Sequence, residues 1–178
     1  MKINTEHIRE SVREFSFSEP PESFPVLAEL AAKGDCCFKG AVQVVIKAIR
    51  EFDHYRVQGN VTVPVQLICS RCLSGFDYLI SSDFVIFFSE GSVAKEDEDE
   101  VELGELDLVS SVFSGTEIDL MPEISEQIIL DIPIKPLCSE TCRGLCPSCG
   151  SDLNKATCDC VIEPKQSKFS ILKNFKVS

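Results

Sequence analysis

The sequence predicts an α+β fold, with an antiparallel β-meander or small half-barrel, a few short helices and a C-terminal cysteine-rich zinc module. Three observations lead to this expectation. Apolar and polar residues alternate along the middle of the chain, short segments with helical spacing lie on both sides, and eight of the ten cysteines form close pairs. With 178 residues, of which 44% are hydrophobic, the chain is long enough to bury its own core.

Three segments are predicted to form strands, two of them from the two-residue periodicity of a strand with one buried face. The clearest is 55–67; 38–52 before it is rich in Val and Ile, and 76–88 after it alternates around phenylalanines. The short connections between them predict antiparallel neighbours. Pro64 falls on the polar side of the middle segment and indicates a sheet edge or a bulge, because proline cannot donate a ladder hydrogen bond.

Two helices are predicted on either side of these strands. Pro25–Lys33 begins with a proline and is followed by Gly34, as is typical of a short helix. A second helix is expected to begin at Asp119, which can cap it, and a further strand is expected over 106–113. The apolar face of the second helix has a spacing of four residues: Leu120, Ile124 and Ile128.

Charge and composition divide the chain into three predicted parts. Residues 1–136 form the α+β domain and include an acidic loop at 91–105; 137–163 form the cysteine-rich module, packed on the sheet; 164–178 form a basic amphipathic tail. The net charge is −12, and the stretch 96–131 contains thirteen acidic residues without a Lys or Arg. A negative electrostatic field does not attract a protein to bare phosphate backbones, so basic partners are favoured. The basic tail is expected either to pack on the domain or to dock on RNA or a ribosomal protein.

The start of the chain lacks the pattern of a signal peptide, and no apolar run approaches the ~18 residues that a membrane span needs. We therefore expect a cytoplasmic protein without membrane contact. Because cytoplasmic thiols stay reduced, close cysteine pairs there indicate metal ligands more often than disulfides.

The candidate metal ligands are the four pairs Cys69/Cys72, Cys138/Cys142, Cys146/Cys149 and Cys158/Cys160. Zinc binds four thiolates in a tetrahedron, and a turn of two or three residues allows one bend to supply two of them. Eight ligands predict two zinc ions. Iron is the alternative metal, since it also accepts thiolates.

The sequence leaves two ways of sharing these pairs. In the first, Cys69/Cys72 combine with Cys138/Cys142, and the knuckle-like Cys146/Cys149 turn combines with Cys158/Cys160. In the second, Cys138/Cys142 combine with Cys146/Cys149, which leaves the first and last pairs together. We favour the first partition because the hairpin pair needs a partner pair and the link from Cys142 to Cys146 is short.

Other polar and reactive residues predict no catalytic site. The two histidines, His7 and His54, lie far from the cysteine pairs in sequence, and sites made of cysteine alone are usually closed and structural. Cys36 and Cys37 are neighbours and should face opposite ways, so at least one is expected to be buried. Three basic residues among the pairs could offset thiolate charge or contact RNA: Arg71, Arg143 and Lys155.

Two functions of other classes stay open at this point. A thiol-disulfide redox protein would use Cys69/Cys72 and would need one exposed thiol of low pKa. A zinc-ribbon-type nucleic-acid-binding protein would use the basic residues near the cysteines, but the overall acidity disfavours it.

The chain resembles the bacterial YceD-like family, the large ribosomal RNA subunit accumulation proteins. The resemblance rests on the motifs CSRCL, GELDL, IPIKPLC, CRGLCPSCGSDLN and CDC, in this order. It implies a non-enzymatic role in 23S rRNA accumulation and assembly of the large ribosomal subunit, without established catalytic residues. The implied partners are the precursor large subunit, 23S rRNA or a basic ribosomal protein, with ribosomal protein L32 as one possibility. The oligomeric state stays open.

Overall fold

The computed structural model describes residues 1–34, 36–91 and 110–160. Within these ranges the chain forms strands and two helices, so the predicted α+β class is confirmed. The strands are β1 (Lys2–Asn4), β2 (Arg13–Glu19), β3 (Cys37–Phe38), β4 (Val42–Glu51), β5 (His54–Ile68), β6 (Gly75–Glu90), β7 (Ser110–Phe113) and β8 (Glu117–Asp119). The helices are α1 (Pro25–Lys33) and α2 (Met121–Asp131).

The main sheet has the strand order β2-β4-β5-β6-β7, and β3 also pairs with β5. Neighbours from β2 to β6 are antiparallel, whereas β7 runs parallel to β6. A parallel neighbour needs a long connection, and residues 91–109 provide one. The sheet is therefore mixed, while the half-barrel curvature stays a prediction. β1 and β8 form a separate antiparallel pair.

The three predicted strands exist, but the first is interrupted. The segments 55–67 and 76–88 correspond to β5 and β6, whereas 38–52 is divided into β3 and β4. The break lies opposite Pro64, and a Cβ atom on Gly40 would be only 2.8 Å from Pro64 Cγ. The Lys39 N–H donates to the Pro64 carbonyl at 2.8 Å. Since β5 is an interior strand, the edge interpretation of Pro64 was wrong. Opposite Pro64 the strand pairing is interrupted by the break between β3 and β4.

Both helices lie close to their predicted positions. α1 has the predicted bounds, and Gly34 ends it with a left-handed φ of 79°. α2 begins at Met121, two residues after the predicted start. Asp119 still serves the helix, because its carboxylate accepts the backbone N–H of Met121 at 3.1 Å.

The core lies on one face of the main sheet, where α2 packs against β5 and β6. Alternate residues of the central strands point into it, as the sequence periodicity predicts. The predicted face of α2 is fully buried: Leu120, Ile124 and Ile128. Burial of one such side chain is worth roughly 1.5–3 kcal/mol, so this face holds α2 on the sheet.

Sequence reasoning missed the N-terminal strands. In β2, Phe15 and Phe17 are half-buried and pack against the core, and they alternate with exposed serines. This two-residue alternation was the available signal. β1 and β8 are only three residues long and pair across most of the chain, so periodicity could not reveal them.

Several predicted segments lie outside the described residues. These are the acidic loop beyond Gly91, the first part of the predicted 106–113 strand, and the tail at 164–178. The proposed division at residues 136 and 163 therefore stays a prediction. Within the described ranges, none of the helices has both the length and the apolarity that crossing a bilayer requires.

Candidate metal centre

The first CxxC sequence forms the turn between the two longest strands. β5 ends at Ile68, and the chain reverses through Cys69–Ser74 before β6 begins at Gly75. The Cys69 N–H donates to the Ser74 carbonyl at 2.9 Å, and the Leu73 N–H donates to the Cys69 carbonyl at 2.9 Å. Because the two strands flank it directly, this turn is held by the most extensive pairing in the sheet.

Four sulfur atoms meet at this turn and form what we call the hairpin cluster: Cys69, Cys72, Cys138 and Cys142. All four Sγ atoms lie within 4.8 Å of one another. Cys69 Sγ is 3.8 Å from Cys142 Sγ, and Cys72 Sγ is 3.6 Å from Cys138 Sγ. Four thiolates that bind one zinc ion tetrahedrally at about 2.3 Å lie about 3.8 Å from one another. The sulfur separations in this cluster therefore fit one metal ion bound by four thiolates.

The remaining pairs form a second group, the distal cluster: Cys146, Cys149, Cys158 and Cys160. Its Sγ atoms also lie within 4.8 Å of one another. Only Cys146 is buried here, whereas three members of the hairpin cluster are buried. The structure therefore groups the pairs as in the first partition. It places the two clusters in very different degrees of solvent contact.

The two CxxC turns share one hydrogen-bond pattern. In the distal turn, the Cys146 N–H donates to the Ser151 carbonyl and the Gly150 N–H donates to the Cys146 carbonyl, both at 2.8 Å. These bonds match those of Cys69–Ser74 residue for residue. The residue after the second cysteine is left-handed in both turns, with φ 58° at Leu73 and 75° at Gly150.

The cysteine-rich module contacts the hairpin turn through the backbone. The Leu145 N–H donates to the Arg71 carbonyl at 3.1 Å. Just before the module, the Pro136 carbonyl accepts the Ser70 N–H at 2.8 Å. The Arg71 guanidinium donates to the carbonyl oxygens of Cys142 at 2.9 Å and Glu140 at 3.3 Å. Arg71 thus ties the turn to the module through carbonyl groups rather than through thiolates.

Asn154 lies in the distal loop, contacts a sulfur of the hairpin cluster, and was not recognised as a functional residue from the sequence. Its Nδ2 donates to Cys142 Sγ at 3.4 Å and to Asp152 Oδ1 at 2.8 Å. Its Oδ1 accepts the backbone N–H of Arg143 at 2.8 Å. The available signal was its place at the end of the CPSCGSDLN motif, between the two pairs of the distal cluster.

Hydrogen bonds favour negative charge on the first pair of the hairpin cluster. Burial raises the pKa of Cys69, but backbone N–H groups of Cys138, Cys72 and Arg71 together lower it to about 6. The Ser74 hydroxyl and backbone N–H lower the pKa of Cys72. The side chain of Cys142, followed by burial, raises the pKa of Cys138 to about 12.

The distal cluster repeats this division. Ser151, through its side chain and then its backbone, lowers the pKa of Cys149 to about 6, and backbone N–H groups of Cys149 and Ser148 lower that of Cys146. The side chain of Cys149 raises the pKa of Cys160 to about 12. In each cluster the CxxC turn thus stabilises thiolates, and a bound cation would displace the proton of Cys138 in one cluster and of Cys160 in the other.

The other candidate residues of the sequence have different surroundings. Cys36 is buried and Cys37 is exposed, which agrees with their predicted opposite directions. His54 lies at the opposite end of β5, 3.5 Å from Glu51 and 3.2 Å from Asp53. Lys155 pairs with Asp152 rather than with a sulfur, at 3.5 Å.

This donor set fits an ion that prefers soft ligands. Four cysteines fill a tetrahedral coordination shell, so neither cluster leaves a place for a substrate among its ligands. Both clusters could hold a metal ion. Their role as ligands stays a prediction, and the donor set alone accepts zinc and iron equally.

Known proteins add a further line of comparison. The family model described as "Large ribosomal RNA subunit accumulation protein YceD" matches residues 57–176. The chain is 29% identical over 157 residues to a protein of Arabidopsis thaliana named "Large ribosomal RNA subunit accumulation protein YCED homolog 1, chloroplastic", covering 76% of this chain and 48% of that protein. A Zea mays protein of the same name is 26% identical over 145 residues, covering 70% and 49%.

An uncharacterized Mycobacterium tuberculosis protein is 35% identical over 97 residues, which is 54% of this chain and 44% of that protein. The chain spans about half the length of the curated relatives it matches. None of the solved structures matches it. Since the family model covers well over half of the chain, including all eight clustered cysteines, the chain belongs to the YceD family of large ribosomal RNA subunit accumulation proteins.

Proposed function

We propose that this chain is a non-enzymatic factor that supports 23S rRNA accumulation and assembly of the large ribosomal subunit. Membership of the YceD family supports a ribosome-related role. The observation that supports the non-enzymatic part is the composition of the two clusters: each has four cysteines, which would fill the shell of a tetrahedral ion and leave no open position for a substrate.

In this proposal each cluster binds one structural zinc ion, with iron as the alternative metal. The eight ligands are Cys69, Cys72, Cys138, Cys142, Cys146, Cys149, Cys158 and Cys160. The hairpin cluster joins a sheet turn to a segment 66 residues further along the chain, since the Sγ atoms of Cys72 and Cys138 are only 3.6 Å apart. An ion there would fix the cysteine-rich module on the sheet, since structural zinc contributes its binding free energy to folding.

The proposed partners follow from charge. A net charge of −12 favours a basic ribosomal protein, with L32 as one possibility, and electrostatic complementarity would speed that encounter. The lysine-rich sequence at 164–178 would approach 23S rRNA within the precursor subunit. Reduced thiols are needed for metal binding, so a reducing compartment such as the cytoplasm is the expected location.

Sedimentation of cell extracts tests this proposal. The tagged chain should travel with precursor large subunits, and a strain without it should contain less 23S rRNA relative to 16S rRNA. A Cys69→Ser/Cys72→Ser variant should fail to restore 23S rRNA, whereas Cys37→Ser, an exposed cysteine outside both clusters, should restore it fully. A chain found only in free fractions, with normal 23S rRNA in its absence, would contradict the proposal.

A thiol-disulfide redox protein is the second candidate, and the lowered pKa of Cys69, about 6, favours it. Its burial argues against it, because Cys69 is 0% exposed and a redox thiol must reach its substrate. Thiol titration distinguishes the two candidates. Metal-blocked, slowly reacting cysteines support the assembly factor, and one fast thiol with a reversible disulfide at Cys69/Cys72 supports the redox protein.

A further inference from the structure

Asn154 lies in the loop between the two pairs of the distal cluster and contacts a sulfur of the hairpin cluster. It lies between Cys149 and Cys158 in sequence, so the two halves of the distal cluster enclose its loop. Its Nδ2 is 3.4 Å from Cys142 Sγ, a buried thiol of the other cluster. One side chain therefore reaches from the loop of one candidate site into the other.

The orientation of the Asn154 amide follows from its partners. The Asp152 carboxylate can only accept, so it faces Nδ2 at 2.8 Å, and the Arg143 N–H can only donate, so it faces Oδ1 at 2.8 Å. With both ends fixed, the second Nδ2 hydrogen is directed to Cys142 Sγ. A donor directed at a thiolate stabilises its negative charge, which strengthens its bond to a cation.

The loop that carries Asn154 is anchored to the two residues just before the distal turn, Gly144 and Leu145. The Leu153 N–H donates to the Gly144 carbonyl at 2.9 Å, and the Ala156 N–H donates to the Asp152 carbonyl at 3.0 Å. Leu145 and Asp152 form a short antiparallel bridge next to Cys146. An ion bound between Cys146/Cys149 and Cys158/Cys160 would close both ends of this loop and order Asn154.

We propose that Asn154 is a positioning residue that couples the two metal sites, so that an ion in the distal cluster raises the metal affinity of the hairpin cluster. This inference rests on the metal-binding part of the proposed function. Residues that hydrogen-bond to ligands typically alter metal affinity about 10–100-fold, and this sets the expected size of the coupling. By linkage, an ion in the hairpin cluster raises the affinity of the distal cluster by the same factor.

Asn154→Asp is the direct test, because it keeps the size of the side chain and the acceptor toward Arg143 N–H. It replaces the donor with a charge that repels Cys142 and Asp152. The full chain is loaded with two equivalents of ¹¹³Cd²⁺ or Zn²⁺, and the affinity of each site is measured by competition with a chelator. The hairpin site should weaken about 10–100-fold. The distal site should lose the same factor when the hairpin site is filled, but its own ¹¹³Cd NMR signal should keep the position typical of four thiolate ligands.

A matched control is Lys155→Gln. Lys155 is the next residue after Asn154 and also contacts the Asp152 carboxylate, with its Nζ at 3.5 Å from Oδ2. Unlike Asn154, it is not proposed to act on a cysteine sulfur. This variant should leave both affinities and both ¹¹³Cd signals unchanged. In Asn154→Asp, by contrast, the ¹¹³Cd signal of the hairpin site should shift, because a hydrogen bond to Cys142 Sγ is lost. If Asn154 had a purely structural role, its replacement would not shift the signal of the hairpin site more than that of the distal site.

A double-mutant cycle completes the test. Cys158→Ser/Cys160→Ser empties the distal cluster and should weaken the hairpin site by a factor similar to that of Asn154→Asp. Combining the changes should cause little additional loss, because both remove the same interaction. Additive losses, an unchanged hairpin affinity in Asn154→Asp, or equal shifts of both signals would overturn the coupling.

Two ions bound without coupling refute only this inference, whereas fewer than two ions bound by the unmodified chain also refutes the metal-binding part of the proposed function.

Discussion

Leu73 occupies in the hairpin turn the position that Gly150 occupies in the distal turn. Each follows the second cysteine of a CxxC sequence, each donates its N–H to the carbonyl of the first cysteine, and each has a positive φ, 58° and 75°. Glycine adopts this conformation without strain, whereas a leucine there meets a steric cost. One turn therefore has the residue its backbone prefers and the other does not.

Replacing Leu73 with Gly should stabilise the protein by about 0.5–1 kcal/mol, because left-handed strain is removed. The Leu73 side chain is 65% exposed, so little burial is lost. The measurement is the free energy of unfolding by denaturant in the metal-loaded protein. The mirror variant, Gly150→Leu, should destabilise by about 1 kcal/mol or more; equal signs for the two variants would show that the turns are not equivalent.

Gly144→Ala should weaken the attachment of the module to the hairpin turn. Gly144 has φ +72°, and an added Cβ would be 3.1 Å from the Arg71 carbonyl oxygen. We expect a loss of about 1–3 kcal/mol in unfolding free energy, together with weaker metal binding at the hairpin cluster. Gly115→Ala is the control: φ is +85° but the space around it is open, so its cost should be limited to conformational strain.

Metal removal should loosen the cysteine-rich module before it affects the sheet. The hydrophobic core contains residues from β4, β5, β6 and α2, and the three buried cysteines of the hairpin cluster form a separate group. A chelator should therefore lower the melting temperature by on the order of 10 °C and expose 137–160 to protease. Added zinc should restore both properties. Unchanged heat and protease resistance in verified metal-free protein would contradict this expectation.

In metal-free protein, Cys149 should be the most reactive clustered thiol. Its pKa is lowered to about 6 and it is exposed, whereas Cys69 has a similar pKa but is buried. The thiolate dominates above pH 6 and is lost as the pH falls through that value. Between pH 7 and pH 5, alkylation of Cys149 should slow about tenfold, whereas an ordinary thiol slows about a hundredfold.

Peptide mass spectrometry after brief alkylation measures this difference site by site. Cys37, exposed and outside both clusters, provides the comparison within the same chain. If Cys149 and Cys37 slow by the same factor, the distal turn does not stabilise a thiolate. In metal-loaded protein the reaction of Cys149 should be suppressed at both pH values.

Ile128→Ala should cost about 2–5 kcal/mol, because it leaves a cavity beneath α2. Ile128 is fully buried in the core beside β5 and β6. Leu130→Ala on the same helix is the control, since Leu130 is 78% exposed and its truncation should change stability by less than about 0.5 kcal/mol. Denaturant unfolding followed by circular dichroism measures both variants, and similar costs would show that α2 is not held by this face.

Local sequence patterns were sufficient to predict the elements with strong periodicity. The strands at 55–67 and 76–88 and the helix Pro25–Lys33 follow from side-chain alternation and from the proline and glycine at the helix ends. The eight candidate ligands also followed from spacing, because a short turn is all that two cysteines need to face one ion. Each of these features depends on residues close together in the chain.

Other features depend on contacts between distant parts of the chain and are visible only in the folded protein. Which cysteine pairs meet, the parallel placement of β7 beside β6, and the pairing of β1 with β8 all join segments that are far apart in sequence. Asn154 is the clearest case: its role depends on the position of Cys142, which spacing alone cannot give. Local preference fixes turns and periodicity, whereas the packing of the whole chain selects which of these local pieces touch.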